Sequence, residues 1–360
     1  MSGFNFDNIL AAVLDAAADY EFESFVLGFE RTPESREGRG AEEYRRLKAE
    51  VGTELCHRWP GRRVEFETPD LRIDVTQKLV VQLRAAPLFV AGRYRKLSRS
   101  IPASRWNHLP CKGRGCEGCE YTGALCGPSI QDHLSGPLLA ATGGEETFFH
   151  GLGREDTDAR MLGDGRPFVV EVQEPRRRNA DFAEIFRAAS ASGVGSCSVF
   201  APHVVPRRAV KMVKEAGADK TYRAWIELDR EPPENTAELA GALAGTTLEQ
   251  FSPARVMHRR GRETIRHKRI VSSRWLGKID DLWVWEICAE SGTYIKELVS
   301  GDDLASEDGE STSPRTRPSL AEILGVRAKC TFLDVLEIHW RGPWETTDEA
   351  TTETTREPPG

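Results

Sequence analysis

Apolar residues recur at helical spacing through Ile9, Leu10, Val13, Leu14 and Ala17, which predicts an amphipathic helix over 7–18. The period then changes. Leu71-Arg72-Ile73-Asp74-Val75 alternates strictly, and segments 21–28 and 79–83 are also strand-like. Between them, 30–40 is a polar loop and 41–51 a charged helix. From Ser129 to about Trp340 the two periods alternate, with helices predicted over 179–191, 237–243 and 319–324. Strands are predicted over 168–172, 194–204, 222–228, 282–289 and 330–338. The irregular order reads as α+β, with a mixed or antiparallel sheet rather than a clean parallel one. Residues 105–127 are rich in Gly and Cys and too irregular for a core element, while 343–360 holds Thr, Glu and Pro and is predicted disordered. The expected organisation is an α/β domain over 1–104, a Cys-rich knuckle over 105–127, a mixed-sheet domain over 128–342 and a tail over 343–360.

Composition narrows the class. The chain has 360 residues, of which 39% are apolar, and no apolar run approaches the ~18 residues of a membrane span. Met1 to Asn5 lacks the basic start of a signal peptide, so a cytoplasmic protein is expected. A net charge of −7 weighs against nucleic acid as a partner. Its distribution weighs the other way. Arg255 to Arg269 holds seven Lys/Arg against one acid, the footprint of phosphate contact. Arg255, Arg259, Arg260 and Arg262 are the expected RNA contacts. Arg93, Arg95 and Lys96 of a second basic segment are expected to extend the track, as are Arg176, Arg177 and Arg178.

Four of the eight cysteines fall between Cys111 and Cys126. In a cytosolic chain such clustering points to metal rather than disulfides. His108 and Cys111, then Cys116 and Cys119, form two pairs with x₂ spacing, separated by a Gly-containing turn. Such pairs wrap one tetrahedral ion, and four protein ligands make a structural zinc site. A set with Cys126 in place of His108 is the alternative.

The densest chemistry lies at Gly153-Arg154-Glu155-Asp156, where acids and arginines interleave between glycines ahead of the apolar strand from Phe168. A carboxylate beside a guanidinium is favoured in its charged form, as a nucleophile or general base requires. Asp158 is the rival acid two residues on. Further blocks keep a fixed order: Gly92 to Arg99, Arg160-Met161-Leu162-Gly163, Gly165-Arg166-Pro167-Phe168, Lys220-Thr221-Tyr222, Gly292-Thr293-Tyr294-Ile295-Lys296-Glu297-Leu298, and Arg315-Thr316-Arg317-Pro318. Together they resemble the archaeal-type tRNA pseudouridine synthase that modifies uridines 54 and 55 of the T-arm, over about residues 60–340.

The resemblance implies a THUMP-like accessory domain ahead of a mixed-sheet synthase core. It implies Asp156 as the catalytic aspartate and Arg154 as its partner. Tyr222 would stack on the flipped base, and Lys296 and Leu298 would line the pocket, with Leu298 keeping it dry. Uridine and pseudouridine are isomers, so no catalytic cofactor is implied. The implied partner is tRNA, with no obligatory protein partner. Three features depart from the family pattern. No further CxxC pair precedes Cys111, His108 stands where Cys is more usual, and Asp303 to Pro314 reads as an acidic insertion. The competing readings are a pseudouridine synthase for another RNA and a non-catalytic, zinc-containing RNA-binding protein.

Overall fold

The computed structural model describes residues 5–31, 38–253, 264–301 and 315–345. Two sheets organise them. The smaller has the order β2-β1-β3-β4. Its strands are β1 (Ser24–Phe29), β2 (Arg63–Val64), β3 (Leu71–Val75) and β4 (Val81–Ala85). β1 runs parallel to β2 and β3, and β4 returns antiparallel. Helices Phe6–Ala16 and Gly38–Arg58 cover it. The first starts where the Asn5 side chain accepts from the Asn8 amide, and it buries Ile9, Leu10 and Val13. In β3 the alternation predicted from sequence is the burial pattern, with Leu71, Ile73 and Val75 in the core.

The larger sheet begins with β5 (Leu88–Lys96), followed by β6 (Glu146–Gly151), β7 (Ala159–Gln173), β8 (Cys197–Val204) and β9 (Lys220–Leu228). It continues with β10 (Thr247–Phe251), β11 (Ile265–Ile279), β12 (Leu282–Ala289), β13 (Thr316–Arg317) and β14 (Ala328–Ile338). The strand order is β13-β10-β11-β12-β9-β14-β7-β5-β8, with β6 on β7. Pairing is antiparallel except where β14 meets β7, which makes the sheet mixed. The expected domain boundary at 104 moves. β5 pairs with β7 and β8, so the change of sheet falls between Ala85 and Leu88. The basic segment at Gly92 to Arg99 read as an exit from the first domain because its charges hide an inner strand.

Residues 105–127 form an irregular excursion between β5 and helix Ile130–Thr142, which Ser129 and Asp132 start with a reciprocal capping box. The two units are joined by polar contacts. The Glu21 carboxylate accepts from the Arg178 and Asn179 amides at 2.7 and 2.8 Å, and Arg178 donates to Ala86 O at 2.7 Å. Arg177 donates to Ala141 O at 2.6 Å. Arg177 and Arg178 therefore bond to the protein's own backbone. Arg255, Arg259, Arg260 and Arg262, the 303–314 insertion and the tail from 346 lie outside the described residues. No helix among the described residues is long and apolar enough to cross a membrane.

Candidate active site and metal centre

A cleft of about 530 Å³ opens where the β6–β7 loop, β9, β11, β14 and the segment before helix Ile295–Ser300 converge. Asp156, Arg154, Tyr222 and Lys296 all line it, although 140 residues separate the first from the last. Ile295, Leu333 and Val335 supply its apolar wall.

Asp156 sits on a short loop held from several sides. Its carbonyl accepts from the Ala159 amide at 3.1 Å, and the Leu152 amide donates to Pro167 O at 3.0 Å. Behind the loop, Arg166 Nε lies 2.8 Å from Glu155 Oε2, both side chains almost wholly buried. The Tyr94 hydroxyl donates to the same carboxylate at 3.0 Å. Burial, reinforced by Glu155, pushes the Tyr94 phenol well above its ordinary range, so it remains a donor. Burial works against the Arg166 charge, but Glu155, Tyr94 and Tyr222 together raise the group on balance. Lys96 is fully buried beneath the loop, where its ammonium donates to Ile101 O (3.0 Å), Asp156 O (3.1 Å) and Thr157 O (2.7 Å). Burial lowers it to about 8.

A cation from a distant segment stands beside Asp156. Lys296 Nζ lies 3.7 Å from Asp156 Oδ2 and 2.6 Å from Asp158 Oδ2, bridging the two acids. Arg154 lines the same cleft. Asp156 faces the cleft, whereas the more exposed Asp158 is not part of its lining. Tyr222, 8% exposed, forms part of the wall, and burial pushes its phenol up to about 12.

Three expected residues take other places. Leu298 is fully buried in the core and does not line the cleft, a part that falls to Ile295. Arg93 is buried against Glu345 at 2.9 Å and donates to Trp340 O at 2.7 Å. Lys96 is the loop support just described. Strand pairing turns both basic side chains inward, so neither is open to RNA phosphate. Arg95, half-buried, donates to Gly163 O at 2.6 Å and lies over the Phe200 ring. Gly163 has φ +53°, and a Cβ there would fall 1.9 Å from Leu336 O, so only glycine fits this bend in β7.

Sequence reasoning did not single out Glu155, Arg166, Lys220 or Tyr294 as site residues, and placed Arg266 only within the basic segment expected to meet RNA. All five line the cleft. Arg266 lies over the Tyr294 ring at 5.4 Å. The buried Gln250 side chain holds the Tyr294 backbone from both sides, accepting from its N–H at 2.8 Å and donating to its carbonyl at 2.9 Å. The available signal for Lys220 was a cation at an inward position of an alternating strand.

In the knuckle, His108 Nδ1 lies 3.5 Å from both Cys111 Sγ and Cys116 Sγ. Cys119 Sγ lies 3.9 Å from each of those sulfurs. A zinc tetrahedron has S–S edges of about 3.8 Å and N–S edges of about 3.5 Å. The four donors thus fit one ion, and Cys126 is outside the group. Desolvation pushes the Cys119 thiol up, but the Cys116 and Gly123 amides, each 3.3 Å from its sulfur, help bring it down to about 7.

A family model described as Pus10, C-terminal matches residues 89–339. The chain belongs to the Pus10 family. The match starts one residue into β5, at the change of sheet. The tRNA pseudouridine synthase Pus10 of Methanothermobacter marburgensis is 38% identical over 304 residues, covering 81% of this chain and 71% of that protein. The protein of the same name from Archaeoglobus fulgidus is 35% identical over 338 residues, covering 91% and 90%. The Methanocaldococcus jannaschii protein is 40% identical over 278 residues, and the match spans 76% of this chain but only 58% of that longer Pus10. Pseudouridine synthases are isomerases, the class of this family.

Proposed function

We propose that this chain isomerises uridine to pseudouridine in tRNA, at position 54, position 55 or both in the T-arm, with Asp156 as the catalytic carboxylate. The supporting observation is the convergence of Asp156, Lys296 and Tyr222 on one cleft from three separated segments. The reaction breaks N1–C1′, turns the base and joins C5 to C1′. It involves no net oxidation or reduction. The target nucleotide must leave its stack to be reached. Asp156 is 45% exposed, accessible to the sugar of an extruded nucleotide. It acts either as the nucleophile at C1′ or as the base at C2′. Tyr222, neutral at working pH, offers the base a face for stacking. Lys296 orients the carboxylate by attraction that strengthens as the apolar wall excludes water.

His108 and the three thiolates of Cys111, Cys116 and Cys119 would hold a structural zinc, which fixes the knuckle and takes no part in the chemistry. RNA contact by Arg95 and by the basic segment, including Arg255, Arg259, Arg260 and Arg262, completes this reading. The test is pseudouridine mapping on an unmodified tRNA transcript incubated with the protein and no additives. Wild type and Asp158→Ala are expected to convert a T-arm uridine, and Asp156→Ala is expected to leave it unchanged. Equal conversion by wild type and Asp156→Ala refutes the catalytic assignment. A wild-type protein that binds tRNA without converting it leaves the zinc-containing RNA binder.

A further inference from the structure

Along β9, Lys220, Tyr222, Ala224 and Ile226 form the buried row, and Thr221, Arg223 and Trp225 take the other face. Position 220 therefore places a cation where the pattern calls for an apolar side chain. Lys220 is 7% exposed and lines the cleft. Its ammonium donates to Ala218 O at 2.9 Å and to Ser291 Oγ at 3.3 Å, both neutral oxygens. Among the described residues it has no ion-pair partner within 4.0 Å. Arg166 and Lys268 add positive potential and Asp219, the residue before it, negative potential. Arg166 already has its counter-charge in Glu155. Burial and Arg166 lower Lys220 to about 8, so it carries its charge at neutral pH.

A buried cation without a counter-charge is costly. That cost is offset where negative charge forms beside it during a reaction. Lys220 lies two residues from Tyr222 on the same row, about 7 Å away. A base stacked on Tyr222 therefore lies within reach of the third ammonium proton. When N1–C1′ breaks, its electron pair stays on the uracil ring and the charge spreads to O2 and O4.

On the reading given under Proposed function, we propose that Lys220 is a second catalytic residue, donating to a uracil carbonyl oxygen and stabilising the uracilate that forms as N1–C1′ breaks. At the sugar, Asp156 either bonds to C1′ or takes the C2′ proton. C5 then bonds to C1′, Asp156 is released or returns its proton, the C5 proton leaves and N1 gains one. Product and substrate are isomers, and no further reactant is needed.

The test compares single-turnover rates of N1–C1′ cleavage, read as loss of the starting nucleoside because fluorinated C5 has no proton to release, at saturating enzyme on tRNA transcripts carrying uridine or 5-fluorouridine. Fluorine makes the departing ring more acidic, so it needs less stabilisation. Lys220→Met is expected to lose about 100-fold on uridine and less than about tenfold on 5-fluorouridine, with the tRNA Kd within about twofold of wild type. Lys220→Arg, which keeps the charge, is expected to recover at least about tenfold over Met. Should Lys220→Met fail to fold, Lys220→Gln carries the same comparison, because its amide can still donate to the neutral oxygens. Equal losses on both substrates, a loss confined to Kd, or an unchanged rate overturns the proposal while the proposed function stands. A wild-type protein inactive on both transcripts overturns the function itself.

Discussion

Replacing Lys96 with methionine removes a fully buried ammonium that holds three carbonyls, two of them on the loop that carries Asp156. The Asp156 carbonyl keeps the Ala159 amide, but those of Ile101 and Thr157 are left without a donor, at about 1–3 kcal/mol each. Removing a desolvated charge returns part of that sum, leaving a net loss of about 3 kcal/mol. For a domain of this size the loss lowers Tm by roughly 6–12 °C. The loop amides around Asp156 should exchange faster, and turnover should fall with little change in tRNA affinity. Thermal unfolding, hydrogen exchange and a tRNA salt titration read the three effects separately. A Tm within about 1 °C of wild type, with the salt slope reduced by about one, would mean that Lys96 is an exposed phosphate contact after all.

Glu155→Gln breaks the buried pair with Arg166 and should cost about 3–5 kcal/mol in a denaturant titration; a loss below about 1 kcal/mol contradicts the pairing. Lys96 and Lys220 are lowered by burial from 10.5 to about 8. Between about pH 8 and 10.5 the unfolded chain therefore holds protons that the folded chain has released, and these two groups make stability rise with pH over that window, by at most about 3 kcal/mol each. Urea midpoints of wild type and the Lys96→Met/Lys220→Met double variant measure this. A wild-type midpoint that falls relative to the double variant from pH 8 to 10 refutes it. Elemental analysis should find about one zinc per chain in wild type and in Cys126→Ser, and almost none in His108→Ala. A metal-free wild type, or loss of metal from Cys126→Ser, rejects the ligand set.

Much of the core was legible because one face of each element is buried. The alternation of β3, the strand at 222–228 and the apolar stripe of the first helix all appear in the fold. The strand at Leu88–Lys96 was misread because its polar residues find partners far along the chain. Arg93 meets Glu345 and Lys96 meets the loop at Asp156, and no local pattern reports such pairs. The same limit explains why the closeness of Lys296 to Asp156 was not legible. Nearness in sequence suggested Arg154 as the neighbour, and a helix from the other side of the cleft also brings a cation to the aspartate.

The residue types, their spacing and the ordered blocks were sufficient to indicate the family, the loop bearing Asp156 and a Cys-rich donor cluster between His108 and Cys126, because turn glycines and x₂ pairs act over a few residues. Which cation stands beside Asp156, which basic side chains are buried, and that Lys220 shares a wall with Tyr222 were decided by tertiary structure. Burial and charge pairing depend on segments that meet only when the sheet has closed, over separations that local periodicity does not encode.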